Sequence, residues 1–378
     1  MKKIAVIADD LSGANDAGSQ VYYQGYTTCS LNNAEYKPEC RTDIHVYNSS
    51  TRMAKPENAY SKVKRIAGIL SDYNLIYKKT DSTLRGNIGA EIDGCIDALK
   101  IKKAAFVSSF PELKRRTAYG RLFLSGKVIE NTEFAKDAFN PVTSSNIIDL
   151  LKSQSRYLPV LLDIDLVRKG SKEILKYIKV SSARHNYKPV IYVFDCLTEE
   201  DLKTISKCLG DFKVVAGASA LLKHLVKKKK RKSIKCNIKT GTEQVYFIGS
   251  MKRTTHEQLD LLRKYLEHKK NNTAVIAVER SKPFSKQEGN RINDEFASLA
   301  MKFAGNRCFG KLVISGGATA ENIFKTLKIN YTEITGAMLT GVPLTYSPER
   351  NLYIVTKPGG YGDKKAFVKI YEKLKEQR

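Results

Sequence analysis

Between Lys78 and Glu91 the chain reads Lys-Lys-Thr-Asp-Ser-Thr-Leu-Arg-Gly-Asn-Ile-Gly-Ala-Glu, which gathers Lys79, Asp81, Ser82, Thr83, Arg85, Gly86 and Asn87 in nine positions. Such a set suits an anionic ligand that carries hydroxyls. A planar guanidinium grips a carboxylate with two parallel bonds, and a carboxylate can orient or deprotonate a hydroxyl. The plainer alternative is an ordinary capped loop, with Asp81, Ser82 or Thr83 as the cap. A cap needs one of these residues and does not call for a lysine, an arginine and an asparagine beside it. A second cluster, Asp9-Asp10-Leu11-Ser12-Gly13, pairs two carboxylates that suit sugar hydroxyls, a metal or a base. Its plainer reading is Asp10 or Ser12 capping a helix, with Asp9 solvated.

Both clusters sit where a strand should hand over to a helix. Tyr73–Tyr77 is a β-branched and aromatic run, while Ile92, Cys95, Ile96 and Leu99 recur at helical spacing, so the loop between them reads as strand, polar turn, helix. Lys3–Ala8 is likewise a short apolar strand ahead of a small-residue turn. Open α/β sheets bind ligands at the carboxyl ends of their strands, and a helix N-terminus there attracts anions. Neither GxGxxG nor the P-loop pattern is present. Further strands are expected at 27–31, 43–48, 103–107, 158–163 and 189–195, alternating with helices over the first 200 residues or so, which predicts a mostly parallel α/β sheet. Arg115, Arg116 and Arg121 fall in a small hairpin that suits either an acidic ligand or a solvated basic turn.

After Val214–Ala220 the composition changes. Lys227-Lys228-Lys229-Lys230-Arg231-Lys232 and a polar tract to Thr242 read as a linker, giving domains at 1–226 and 243–378 with a basic linker at 227–242. The second domain is expected to end three strands in small turns: Gly249-Ser250, Ser315-Gly316-Gly317-Ala318-Thr319, and Lys357-Pro358-Gly359-Gly360. Glycine lets backbone N–H groups approach a phosphate, and Lys357 adds a positive charge. One such turn is weak evidence for a nucleotide; three in one domain are considerably more.

The 378 residues carry a net charge of +26 and are 42% apolar, enough for real cores. The lysines are spread over the whole chain, and the one basic run has no aromatic residues to stack bases, so nucleic acid is not the expected partner. Seven cysteines without a CxxC pair argue for buried thiols rather than disulfides or zinc. No stretch suits a membrane span or signal peptide, so a cytoplasmic protein is expected, and a homodimer is compatible with the sequence.

Taken together, the Ala8–Asp16 motif, the Lys79–Glu91 loop, Phe139-Asn140-Pro141-Val142-Thr143-Ser144-Ser145, Gly249-Ser250, Ser315–Ala320, Gly341–Leu344 and Thr356–Gly362 resemble the four-carbon acid sugar kinases, in the same order along the chain. The resemblance implies two α/β domains with mostly parallel sheets and a ligand cleft between them, a sugar acid and ATP as ligands, and Mg2+ between the phosphates. It places ATP contacts at Ser250, Gly316, Gly317, Ala318, Thr319, Lys357, Gly359 and Gly360. On this reading Asp9, Asp10, Ser82, Thr83, Arg85, Gly86 and Asn87 hold the sugar acid, with Arg85 on its carboxylate. Asp10 or Asp81 orients or deprotonates the attacking hydroxyl, and Lys79 neutralises the transferring phosphoryl. Metal ligands are left unassigned. The chain carries Ser12 where the family usually has Thr, and Ala318 where an acidic residue often follows the paired glycines. A non-catalytic nucleotide or sugar-acid sensor, or a basic nucleic-acid-binding α/β protein, is the competing class.

Overall fold

The computed structural model describes residues 3–32, 42–137, 140–186, 188–230, 243–269, 273–278, 286–305 and 309–376. The chain packs as two compact units, 1–24 with 44–229, and 25–43 with 230–378. The sequence division at 226 therefore needs a correction near the N-terminus. Strand Thr28–Leu31, buried on both faces, pairs antiparallel with Tyr331–Glu333, and Asn32 donates from its backbone and side-chain nitrogens to the Asn330 and Ile329 carbonyls. Of the expected basic linker, 231–242 lies outside the described residues. Just before it, the Lys229 N–H donates to the Gln24 carbonyl at 2.8 Å, so the chain is still tied to the first unit there.

The first unit is built on seven strands in the order Ile44–Asn48, Ile4–Ala8, Leu75–Lys79, Val214–Gly217, Lys103–Val107, Val190–Phe194 and Leu158–Leu162, with every neighbouring pair parallel. Parallel sheets bury both faces, which is why Ile4–Ala8 and Val190–Phe194 are unbroken apolar runs, buried throughout. Helices Leu11–Tyr22, Pro56–Ile69, Ile88–Leu99, Ser171–Arg184 and Glu199–Cys208 belong to the same unit. Because all seven strands run the same way, their carboxyl ends share one edge. Ala8 stands opposite both Asn48 and Lys79, and Gly217 opposite both Lys79 and Val107, so the tips of five strands are level. Gly217 is required at its place: its φ is +141°, and a Cβ there would lie 1.9 Å from the Val107 carbonyl oxygen. The arginine-rich segment forms a three-stranded antiparallel ribbon, Arg115–Ala118, Arg121–Leu124 and Lys127–Val128.

The second unit has strands in the order Thr273–Ala277, Glu243–Ile248, Phe309–Ser315, Leu352–Lys357, Val342–Ser347, Tyr331–Leu339 and Thr28–Leu31. The first three pairings are parallel and the last three antiparallel. Tyr331–Leu339 and Val342–Ser347 are absent from the sequence reading; Pro343, unusual inside a strand, is accommodated beside a register shift opposite Ala337. Helix Gly317–Thr326 follows directly on the Phe309–Ser315 strand, and helices Arg253–Glu267 and Ala366–Glu376 pack on the core around Tyr246, Val355 and Phe367. Among the described residues no helix is long and apolar enough to cross a membrane, and the thiols of Cys29, Cys95, Cys196 and Cys208 are buried and form no disulfide.

Candidate active site

At the strand tips of the first unit the predicted residues come together, but they hold one another. Asp9 is buried, and its carbonyl accepts the Thr51 and Arg52 N–H groups, which turns Arg52 back onto the Asp9 side chain. The Arg52 guanidinium donates to Asp9 Oδ2 and Oδ1 at 2.8 and 2.9 Å and to Asp10 Oδ2, and it reaches within 3.9 Å of Asp81. Asp10 also caps the Leu11–Tyr22 helix, its Oδ1 accepting from the Gly13 N–H at 2.6 Å. Asp9 is thus a buried, paired group rather than a solvated one. Burial pushes both carboxyls up. At Asp9 the cations Arg52, Lys78 and Lys79 outweigh burial and hold it below the usual range, whereas Asp10, with Asp9 beside it, stays above it.

The central loop turns on Leu84 at φ +65° and Gly86 at φ +91°, and Gly86 packs against Arg52 closely enough that a Cβ would sit 3.1 Å from its Cγ. Asp81 closes the loop on itself, accepting from the Thr83 hydroxyl and the Thr83 and Arg85 N–H groups. The sequence reading puts the Arg85 fork on a ligand carboxylate; in the structure the fork is engaged by carboxylates of the chain itself. Arg85 Nε and Nη2 already bind Asp81 at 2.9 and 3.1 Å, and Nη1 binds Asp137 at 3.0 Å. Burial is more than offset at Asp81 by Arg85 and Arg52, which hold its carboxyl well below the usual range and make it a poor proton acceptor. Asn87 is likewise a latch: its amide donates to the Thr51 and Ala54 carbonyls, both at 2.9 Å. The simple cap does not describe the loop either, since Asn87 is the N-cap residue without a side-chain bond, and the Gly89 N–H goes to Gln154.

Lys79 and Ser82 are buried at the same edge. The Lys79 ammonium donates to the Thr80 carbonyl at 2.8 Å and lies over Gly13, where a Cβ would be 3.2 Å from it. Ser82 accepts from Arg115, whose ribbon strand carries it into this edge; Arg115 is buried there, so the solvated-turn reading of the arginine hairpin does not describe it. Behind the loop, fully buried Lys78 pairs with Glu91 at 2.8 Å, and Glu91 also accepts from Thr51, a strut the sequence reading did not pick out. Arg52, Asp137 and Glu91 were legible only as ordinary polar residues, because their partners are 43, 52 and 13 positions away. Beside Arg85 and Gly86 opens a cavity of about 420 Å3, lined further by Asn140, Thr143 and Ser144 of the hydroxyl-rich segment and by Gln154.

The second unit builds a different surface. Ile248 stands opposite Ser315, and Ser315 opposite Lys357, so the three glycine turns leave adjacent parallel strands at one level. The Gly249 and Ser250 N–H groups donate to the Ser315 carbonyl, and the Gly316 N–H to that of Lys357. The fit leaves no room for side chains: a Cβ would lie 2.0 Å from Thr319 Oγ1 at Gly249 and 2.2 Å from Ser250 Oγ at Gly359. Gly316 holds φ +118° as the N-cap of the Gly317–Thr326 helix, and Gly360 holds φ +79°. The result is a helix N-terminus without a side-chain cap, framed by backbone. Gln258 fixes the last turn by donating to the carbonyls of Tyr361, Gly362 and Asp363. Lys357 is fully buried with its ammonium 5.0 Å from the Phe367 ring centre, and burial lowers its pKa to about 7. Ala318 is exposed and Gly317 half-buried on the first turn of the helix. Among the described residues no three His, Cys, Asp or Glu side chains form a metal cage.

Residues 4–225 match the model of a sugar-binding N-terminal domain, and 265–367 that of a nucleotide-binding C-terminal domain, which leaves Gly249-Ser250 ahead of the second match. The chain is 33% identical to a D-threonate kinase of Salmonella typhimurium over 54% of its own length, and 30% identical to a D-erythronate kinase of Heliobacterium modesticaldum over 68%. These matches cover 48% and 60% of the two relatives, so the chain spans about half the length of the curated relatives it matches first. A Salmonella typhimurium LT2 protein of solved structure superposes with a TM-score of 0.83 over 99% of this chain and 100% of its own, at 20% identity, a likeness that carries the fold alone. With its sugar-binding match spanning most of the first unit and the nucleotide-binding match falling in the second, the chain belongs to the four-carbon acid sugar kinase family.

Proposed function

We propose that the chain is a cytoplasmic, ATP-dependent kinase that phosphorylates a hydroxyl of a tetronate-type sugar acid. The observation that carries this reading is the division of chemistry between the matched domains. The polar, ion-paired strand tips lie within the sugar-binding match, and two of the three phosphate-sized glycine turns lie within the nucleotide-binding match. Relatives that act on threonate and erythronate support the substrate class.

In this reading Asp10, Lys79, Ser82 and Arg115 meet the sugar acid, while Asp9, Asp81, Thr83, Arg85, Gly86 and Asn87 hold the edge in shape. Ser250, Gly316, Gly317, Ala318, Thr319, Gly359 and Gly360 offer backbone and hydroxyl contacts to ATP, and the buried Lys357 gives its phosphates a counter-charge. Mg2+ would enter on the phosphates, keeping several of its waters, and would neutralise charge as it develops. The test is ADP release from ATP with a panel of four-carbon sugar acids. We expect turnover with a D-threonate, D-erythronate or 3-oxo-tetronate substrate; ADP release indifferent to every acid in the panel would overturn the reading.

A further inference from the structure

Four buried polar atoms on elements that meet at the first unit's edge have no hydrogen-bond partner among the described residues: Ser12 Oγ, Asp16 Oδ1, Thr80 Oγ1 and Ser108 Oγ. Thr80 and Ser108 directly follow the strands that flank Val214–Gly217; the Thr80 N–H bonds the Gly217 carbonyl, and the Ala218 N–H bonds that of Val107. Ser219, two residues past the middle strand, donates from its hydroxyl to Asp16 Oδ2 and so draws the first helix over these tips. Asp16 is 5% exposed, and Lys79, Ser219, Arg115 and Gln20 all face its carboxylate. Buried polar groups are nearly always paired, so a cluster of unpaired ones marks a place that a ligand or water fills.

The other carboxylates here are occupied. Asp9 and Asp81 each take a two-pronged arginine, Asp10 takes a helix N–H and Arg52, and Glu91 takes Lys78 and Thr51. Asp16 is bonded by Ser219 and Gln20, yet its Oδ1 has no hydrogen-bond partner among the described residues, and Lys79 is near. We propose that Asp16 is the base of the phosphoryl transfer: its open oxygen receives the proton of the attacking sugar-acid hydroxyl, which the Ser12, Thr80 and Ser108 hydroxyls help to hold. As the proton passes to Asp16 Oδ1, the hydroxyl oxygen's electron pair forms the bond to the γ-phosphorus. The bond to the bridging oxygen breaks, and its electrons leave with ADP. Burial, partly offset by Lys79, Ser219 and Arg115, holds the Asp16 carboxyl above its ordinary range, in the direction that suits a base.

This assignment rests on the kinase reading, and the two can fail separately. If the parent enzyme phosphorylates no tetronate, the kinase reading falls and the assignment with it. With an active parent, Asp16→Asn keeps the shape and the acceptor for Ser219, so it should bind the sugar acid within about tenfold of the parent by calorimetry. Its single-turnover rate should fall by about 10²–10⁴. Ser219→Ala removes a bond that favours the ionised carboxylate, so the acid limb of the parent's pH profile should move to higher pH. An Asp16→Asn rate within fivefold of the parent would mean that a buried water fills the cluster and would overturn the assignment. So would an acid limb left in place by Ser219→Ala.

Discussion

Arg52 and Lys357 are cations at or just beyond strand tips, yet Arg52 meets Asp9, Asp10 and Asp81, whereas no carboxylate among the described residues comes within ion-pair reach of Lys357. A paired cation contributes shape and little net field; its removal leaves buried carboxylates uncompensated. A buried cation without a partner is destabilising until an anion arrives. On the proposed reading, the first unit would present a prebuilt, largely self-paired polar surface to a small acid, and the second a backbone frame with one unpaired charge.

The contrast predicts the largest effect at Arg52. Arg52→Met should destabilise the protein by about 3–5 kcal/mol, because Asp9 and Asp10 are left buried without their cation. Urea unfolding of the variant measures it, and a loss below about 1 kcal/mol would show that Lys78 and Lys79 suffice. Arg85→Lys sharpens the same point. If Arg85 serves the loop, as its bonds to Asp81 and Asp137 indicate, the change should cost about 1.5–3 kcal/mol of stability from lost charge-assisted bonds. Unchanged stability with a raised KM for the acid would return Arg85 to the ligand.

Gly316→Ala probes the backbone frame. At φ +118° and ψ 126° a side chain is strained, and the new Cβ would crowd Thr319 Oγ1 and the Ser250 nitrogen at 3.2 and 3.3 Å. A cost of about 1–3 kcal/mol is expected. It should appear mainly in calorimetric nucleotide affinity, with sugar-acid affinity unchanged; an equal loss of both would mean the turn serves the fold instead.

The elements and their tips were readable because parallel strands are continuous apolar runs and each is followed at once by polar or glycine-rich turns, as at Ala8-Asp9-Asp10 and Ile248-Gly249-Ser250. The partners of those tips were not. That Arg85 faces Asp137, or that Asn87 reaches back to Thr51 and Ala54, depends on which strands are neighbours, and strand order is not written in local periodicity. For the same reason Thr28–Leu31 was read as a strand of the first domain, although its partner lies about 300 residues away. Asp16 reads locally as one more polar residue in a helix start, because Ser219, which bonds it, lies 203 positions away.

The smallest and most telling effect concerns protons. Lys357 has a pKa of about 7 in the folded chain against 10.5 when exposed, so between those values the unfolded state binds more protons and stability rises with pH. Below pH 7 the ammonium is charged and buried, and the cost of burial is felt in full. Lys357→Met should therefore raise the melting temperature of the unliganded protein, and by more at pH 6 than at pH 9. Bound phosphate reverses the balance by favouring the ammonium. ADP binding to the parent should then take up close to one proton at pH 8 and little at pH 6, read as the dependence of binding enthalpy on the ionisation heat of the buffer. The Met variant should bind ADP more weakly and without that uptake. Equal uptake by parent and variant would place the phosphates away from Lys357, and the strand-tip lysine would then be a structural cost with no ligand to offset it.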